Sequence, residues 1–535
     1  MRNVLFIHAL GLTPYALKEP LPLTGSKGKP VTAFQYLLQK PPFPTSFEQV
    51  VVLTDLPREE LLPLVEPYMD RELFSIHSQS SWSAAELLRT MQSVVEKDGP
   101  DNSPVGSPAD LFLVWGDAPL LDTGLLEKMH SNHRRYFADY TFADGYPRGL
   151  APEILKASAL PQLIELAERH SVPAGRDFIF EVVQKDINAF DLETEVAPTD
   201  QRLLRVSLTA DTRRNFYQLK AIIAAGGSTA ESVQRVIDEQ PELLRTLPAY
   251  VNVQITDGCP QACSYCAFPQ MGGDVLNRRG EMSLEHWTEV VDKVENLCGD
   301  ATIGVSLWGE PSLHTRFVDI VTVVLERPSL SLVIETSGVG WSLATLQELG
   351  RQFGQGAAAG GVPVGNRLTW IVSLDAHEPQ MYNRLRGPQW EEAQASIELL
   401  SRLFPDLVYV QAVRMRENEE QLDQFYRYWK QQEHVTPIVQ KYDSFCGALP
   451  ERKVTDLSPI KRFPCWHLKR DLSILIDGSV PMCREDLQHK HPLGNIFEED
   501  IETIWARGNG YYRRHLEADY PELCRSCDEY YTYNF

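Results

Sequence analysis

The chain of 535 residues is 43% hydrophobic and 23% charged, too long for one hydrophobic core and too ordinary in composition for a fibrous or disordered chain. With 51 Lys and Arg against 73 Asp and Glu, its net charge of −22 repels polyanions and excludes nucleic acid and anionic membranes as expected partners. No window approaches the ~18–20 consecutive apolar residues of a membrane span, and residues 4–12 lack the flanking charge and cleavage site of a leader, so a cytoplasmic protein is expected.

In residues 1–225, short apolar runs alternate with amphipathic stretches. Strands are predicted at 3–9, 50–54, 111–115, 140–142 and 205–208, and strands spaced by helices predict an α/β sheet domain. Residues 98–108, rich in Asp, Asn, Ser, Pro and Gly, read as a surface loop. The Ala-Ala-Gly-Gly-Ser run at 224–228 precedes a helical stretch, predicting a helical linker over 226–249. Strand signals then recur at 251–256, 302–307, 331–335, 369–374, 407–413 and 436–441, with helical patterns at 284–297, 317–326, 391–404 and 419–432 between them. Six βα units predict a full or partial parallel barrel over 250–458. A Cys-bearing segment, 459–535, follows as a separate small domain.

Nine cysteines stand at 259, 263, 266, 298, 446, 465, 483, 524 and 527. A disulfide framework is disfavoured by the odd count, the size and the missing leader, which leaves metal or cluster ligation. Cys259, Cys263 and Cys266 form C-x3-C-x2-C directly after the first barrel strand. Three thiolates on one loop can hold three irons of a [4Fe–4S] cube and leave the fourth iron open, whereas structural zinc would want a fourth ligand nearby. Cys465 and Cys483 flank an Asp477-Gly478 turn, predicted as a hairpin, and Cys524 and Cys527 form C-x2-C. Four thiolates suit either a fully ligated cluster or tetrahedral zinc, and spacing leaves both open. Cys298 and Cys446 are expected to be buried thiols, although Cys446 follows the sixth strand and could face the barrel mouth. His314 and His377 are expected to be surface or cap residues.

Over 251–442 these motifs resemble the radical S-adenosylmethionine (SAM) superfamily. The cysteine loop, with Tyr265 before its last Cys, is similar to that family's cluster motif. Trp308-Gly309-Glu310-Pro311 resembles its Gly-Gly-Glu-Pro segment, whose backbone meets the SAM amino group, with Trp308 replacing the first Gly. The resemblance implies that Thr336 or Ser337 contacts the ribose and that Ser373 and Arg386 contact the SAM carboxylate. Cys465 to Cys483, Leu493-Gly494-Asn495-Ile496, Ile504-Trp505 and Cys524-x2-Cys527 resemble the SPASM auxiliary-cluster domain. The later cysteines of a complete SPASM domain are missing, which implies a single auxiliary cluster, as in the shortened twitch form.

Near the N-terminus, Asp117 ends a strand, where a carboxylate can serve a nucleotide-bound divalent ion. With Tyr146-Pro147-Arg148-Gly149-Leu150, Asp211 in Leu208-Thr209-Ala210-Asp211-Thr212, and residues 25–30, it resembles the cytidylyltransferases of surface-sugar biosynthesis. That resemblance implies magnesium on Asp117 and Asp211 with CTP as substrate. Residues 10–20 lack the Gly and Arg run that grips a triphosphate, and Arg213-Arg214-Asn215 stands where the family has Pro-Glu-Asp, so a retained fold and an active transferase are both open.

As a whole the chain resembles the spiro-SPASM proteins of spirochaetes. The implied architecture is α/β: a nucleotidyltransferase-like (GT-A, Rossmann-like) sheet domain, a partial (β/α)6 barrel and a small Cys-rich domain. The implied function is reductive cleavage of SAM and hydrogen abstraction from a peptide or nucleotide-sugar substrate. Two [4Fe–4S] clusters and a flavodoxin- or ferredoxin-type electron donor go with it. The alternatives are a zinc-stabilised binding protein without catalysis and a bifunctional enzyme with an active cytidylyltransferase.

Overall fold

The computed structural model describes residues 2–24, 30–40, 47–67, 74–97, 109–268, 280–305, 307–354, 365–456, 458–459 and 462–531. The predicted loop at 98–108 and most of the 25–30 motif lie outside these residues. The chain divides into two compact units, residues 1–244 and 245–535.

The first unit holds strands β1 (Arg2–Ala9), β2 (Pro20–Thr24), β3 (Pro30–Thr32), β4 (Gln49–Thr54), β5 (Phe74–Ser78), β6 (Ala109–Trp115), β7 (Tyr140–Asp144), β8 (Glu153–Lys156) and β9 (Leu192–Val196). Seven form one sheet in the order β5-β4-β1-β6-β8-β7-β9, in which β8 alone runs against its neighbours. The central strands are near-continuous apolar runs because helices cover both faces. The helices Ala84–Lys97 and Leu160–Arg169 pack on one face, Ala33–Gln39 and Thr123–Arg135 on the other.

Two expectations change here. Residues 205–208 form no strand: Arg205 is left-handed (φ 47°), which breaks the extended run, and a single bridge joins Ser207 to Arg148. The helix Ala230–Glu239 is no free linker, since Val233, Val236 and Ile237 are buried against Phe216, Leu219 and Ile222 of the first unit.

The second unit contributes β10 (Tyr250–Val253), β11 (Ala301–Gly304), β12 (Leu330–Thr336), β13 (Leu368–Ser373), β14 (Val408–Arg414), β15 (Val435–Lys441), β16 (Asp471–Ile474), β17 (Ser479–Pro481) and β18 (Pro492–Asn495). Seven are parallel in one sheet, β15-β14-β13-β12-β11-β10-β16. The six expected βα strands are in sequence order, and β16 extends the sheet beside β10. The Asp477-Gly478 turn exists, with the Gly478 N–H on the Leu475 carbonyl. It does not close the predicted hairpin, because β16 pairs with β10 and β17 pairs antiparallel with β18.

The segment after 458 packs into the same compact unit as the barrel. The helix Ile501–Leu516 presses Ile504 and Trp505 into the barrel core, and Trp505 donates its indole N–H to the Thr246 carbonyl at 2.8 Å. Arg245 stacks on the Trp505 ring at 3.5 Å and donates to the Leu468 carbonyl. Trp505→Ala is expected to destabilise the second unit by about 3–5 kcal/mol through cavity formation, read as a lower urea midpoint.

Candidate active site and auxiliary cluster site

β10 delivers the chain to the loop carrying Cys259, Cys263 and Cys266, at the carboxyl end of a parallel strand, where such sheets gather ligand contacts. Backbone bonds fix the loop: the Cys266 N–H on the Cys263 carbonyl at 3.1 Å, Ser264 N–H on Leu385, and Glu310 N–H on Gly258. Burial pushes the Cys259 thiol up to about 12, with the Glu310 carboxylate and the other two thiols adding to it. Burial and then Cys263 push Cys266 up to about 11. Cys263 is also raised by burial, opposed by Arg386. Three crowded thiols of this kind ionise together only when a cation is supplied among them, which fits ligation of iron. Over the loop, Ala267, Phe268, Leu307, Trp308, Leu385 and Met415 form an apolar cluster. Trp308 stacks on Phe268 with ring centroids 6.2 Å apart, so the residue replacing a family glycine serves as a wall.

Gly309 (φ 89°) cannot be substituted without a clash, because a Cβ there would meet the Thr256 carbonyl oxygen at 2.4 Å. The buried Glu310 carboxylate accepts from the Thr336 hydroxyl and from the Ser337 N–H at 2.8 Å, stapling the segment after β11 to the end of β12. Pro311 opens a short turn, Pro311–Leu313. Thr336 donates to Glu310 and accepts from the Trp341 indole and the Gly338 N–H, which fills its one donor and two acceptor positions. It therefore positions Glu310, while the Ser337 hydroxyl accepts from the Val339 N–H at 3.2 Å.

Arg386 is buried, and its Nη1 donates to Asp375 Oδ2 and to the Tyr265 hydroxyl, each at 2.6 Å. Its Nε reaches Gln261 at 3.3 Å. The residue expected to meet the SAM carboxylate is thus bound into the cysteine loop, with Asp375, in a left-handed conformation at φ 63°, as counter-ion. Ser373 ends β13 beside Gln411, 3.5 Å away. Asp375, Gln261 and Gln411 complete this mouth, and no motif spacing had marked them as a group.

Cys465, Cys483, Cys524 and Cys527 are brought together from three segments, and Cys446 lines the same cavity. Burial holds Cys465 and Cys483 well above the usual thiol range and pushes Cys524 up to about 12. Cys527 is lowered, first by a hydrogen bond from Cys446. Arg484 pairs with Asp443 at 3.0 Å, and Arg462 donates to the Cys524 carbonyl at 2.6 Å. Among the described residues, no group of three or more His, Cys, Asp or Glu stands in single-ion geometry. His467, His515, Glu485 and Glu529 line the same cavity, and the four thiols alone supply enough sulfur donors for an iron–sulfur cluster. All nine cysteines are free thiols, and Cys298 is fully buried, whereas His314 is buried rather than superficial, bonding the Met282 carbonyl at 3.0 Å.

In the first unit, Asp117 and Asp211 converge, but on a guanidinium. Arg176 Nη1 donates to Asp117 Oδ1 at 2.8 Å, its Nη2 pairs with Asp117 Oδ2, and the same nitrogen lies 4.0 Å from Asp211. Asp117 is 1% exposed, and Asp211 is further occupied by Thr209 and Asn215. These residues do not fit the expected magnesium, because an arginine already stands between the carboxylates. Beside them a cavity of about 590 Å³ is lined by Trp115, Phe142, Tyr146, Arg148, Glu153 and Phe180.

The family model of the radical SAM superfamily matches residues 253–428, and that of the SPASM iron-sulfur cluster-binding domain matches 465–528. The chain belongs to the radical SAM superfamily. An uncharacterised protein of Treponema pallidum is 38% identical over 67% of this chain and 99% of its own length. GTP 3′,8-cyclase of Cronobacter sakazakii is 29% identical over 33% of this chain, which spans only half of that enzyme. PqqA peptide cyclase of Rhizobium meliloti is 25% identical over 56% of this chain and 84% of its own. Among solved structures, a cytidylyltransferase of Leptospira borgpetersenii is 19% identical, covering 46% of this chain and 97% of its own, with a TM-score of 0.36. The protein is thus a radical SAM enzyme with a SPASM domain, and among the described residues no helix is long and apolar enough to cross a membrane.

Proposed function

We propose that this enzyme cleaves SAM reductively at a [4Fe–4S] cluster held by Cys259, Cys263 and Cys266 and modifies a peptide or protein with the help of one auxiliary [4Fe–4S] cluster. The observation that carries it is the three-thiol loop at the end of β10, closed over by Trp308, Phe268 and Met415. When bound, the first cluster supplies the electron that splits the SAM sulfonium bond into methionine and a 5′-deoxyadenosyl radical, which takes a hydrogen atom from a substrate carbon.

The chain's own residues do the positioning. Gly309 lets the backbone pass close to Thr256, Glu310 holds Pro311 and Ser337 in register, and the buried aromatic wall keeps water out. Ser337, Ser373 and Arg386 are the proposed SAM contacts. Arg386 spends three of its five donors on the cysteine loop and Asp375, which fixes its guanidinium at the mouth of the site. Cys465, Cys483, Cys524 and Cys527 are the proposed auxiliary ligands.

A peptide substrate is favoured because the match to PqqA peptide cyclase spans most of that enzyme, whereas the match to GTP 3′,8-cyclase spans half. A single-electron carrier of the flavodoxin or ferredoxin type fits the one-electron requirement. Nine free thiols support a reducing compartment, the cytoplasm. Arg176 between Asp117 and Asp211 argues against magnesium, CTP and a second, transferase activity.

The test is iron and sulfide analysis after anaerobic purification. About eight irons per chain are expected, as two four-iron clusters. Loss of Cys465, Cys483, Cys524 or Cys527 should spare 5′-deoxyadenosine formation from SAM alone and abolish turnover of the true substrate. Zinc without iron at the second site would reject the auxiliary assignment.

A further inference from the structure

The cavity of about 590 Å³ in the first unit has the size of a small-molecule site, and all the residues that line it lie between 113 and 180. Its walls are largely aromatic. Phe142 stacks on Tyr140 with centroids 5.5 Å apart and meets Phe180 at 5.3 Å, and Trp115 carries the Arg148 guanidinium over its ring at 5.4 Å. Four lining side chains are ionisable acids or a guanidinium: Asp144, Arg148, Glu153 and Asp177. Asp144 pairs with Arg202 at 3.0 Å, and Asp177 pairs with Arg148. Glu153 is different. Its Oε1 accepts from the Tyr140 hydroxyl, while its Oε2 is buried with no hydrogen-bond partner among the described residues. A buried carboxyl oxygen left unmatched is costly, and it marks a place where a donor is wanted. The loop beside it is preformed. Arg148 exchanges backbone bonds with Val206 at 3.0 Å and Leu208 at 2.9 Å, and Gly149 (φ 92°) passes so close that a Cβ would meet the Leu208 carbonyl oxygen at 3.0 Å.

We propose that this cavity is a binding site for a small organic ammonium, an amine on an aromatic or alicyclic body, with its charge on Glu153 and its body against Phe142 and Phe180. An ammonium brings the donor that Glu153 Oε2 lacks, and aromatic faces attract cations through their quadrupoles. Three carboxyl groups against one guanidinium favour a cation and oppose an acidic ligand. The binding calls for neither magnesium nor a nucleotide, so it is compatible with Arg176 between Asp117 and Asp211. Burial pushes the Glu153 carboxyl up to about 7; the Tyr140 hydrogen bond opposes this, Asp177 adds to it and Arg148 opposes it. Since the bound form is the carboxylate, affinity should rise with pH through neutrality.

The experiment titrates the full chain by calorimetry with phenethylamine, with 3-phenylpropionate as an acid of similar size, and with glucosamine as an amine on a polar body. Saturable one-site binding of phenethylamine is expected, with none of 3-phenylpropionate and weaker binding of glucosamine. Phenethylamine stays charged from pH 6 to 8, so its affinity should rise about tenfold over that range as Glu153 ionises. Glu153→Gln, which keeps an acceptor for Tyr140, should weaken binding by about tenfold or more and remove the pH dependence. Phe180→Leu should weaken binding while leaving that dependence in place. Should Glu153→Gln fail to fold, the acid control and the pH series on the unaltered protein decide. Absence of phenethylamine binding, equal binding of 3-phenylpropionate, or an affinity that ignores pH or Glu153→Gln would overturn the proposal, and glucosamine binding more tightly than phenethylamine would overturn the apolar body.

Discussion

Replacing Cys259, Cys263 and Cys266 together by Ala is expected to abolish 5′-deoxyadenosine formation and remove about half of the bound iron, one of two four-iron clusters. The loss should be specific, because the loop does not depend on its thiols for its shape. Ser264 is bonded to the Leu385 carbonyl, Asp257 accepts from the Gly280 N–H at 2.7 Å, and Arg386 ties Tyr265 to Asp375. Replacing all three removes the ligands together with the cluster they hold, and Arg386 keeps Asp375 as its counter-ion, so no buried charge is left unpaired. Circular dichroism should therefore be unchanged, and the iron that stays should be lost on further replacement of Cys465 or Cys524. 5′-Deoxyadenosine still produced by the triple variant under strong reductant would place SAM cleavage elsewhere.

The six barrel strands from β10 to β15 were legible because each is a short apolar run followed by a helical pattern, a local signal. β16 was not, for a physical reason: Asp471–Ile474 looks like one arm of a hairpin around Asp477-Gly478, and its actual partner, β10, lies more than two hundred residues upstream. Such non-local pairing leaves no mark in a window of sequence. The same distinction governs the sites. Cys259, Cys263 and Cys266 stand in one spacing, and their loop is one piece of chain, whereas Cys446 carries no spacing at all and reaches its neighbours through two left-handed residues. Thr336 and Arg386 could be named from their motifs, but only hydrogen-bond accounting shows Thr336 filled by Glu310 and Trp341, and Arg386 drawn to Asp375. β8 and β9 are short strands with charged residues in them, too weak a pattern to predict; β8 lies between β6 and β7 and gives Glu153 to the aromatic cavity, and β9 forms the sheet edge.

The second large effect concerns Arg176, whose position between Asp117 and Asp211 is expected to make the first unit indifferent to magnesium and CTP. Paired carboxylates are expensive to bring together without a cation, and here the guanidinium provides it, bidentate on buried Asp117 and 4.0 Å from Asp211. Magnesium demands oxygen ligands at about 2.0–2.1 Å in near-octahedral array, which Arg176 denies it on Asp117 by taking both oxygens. Calorimetric titration of the whole protein with CTP and magnesium should therefore show no heat, and no pyrophosphate should be released with an acidic or amino sugar as acceptor. Arg176→Ala leaves a buried, uncompensated carboxylate, a loss of about 3–5 kcal/mol, and the first unit should melt roughly 10 °C lower. Because the vacated carboxylates then face each other without a counter-ion, millimolar magnesium should recover part of that loss in the variant by mass action while leaving the unaltered protein's melting unmoved. Heat from CTP and magnesium with the unaltered protein would show that Arg176 yields its place to the metal, and a variant whose melting ignores magnesium would show that Asp117 and Asp211 are not a cation pair at all.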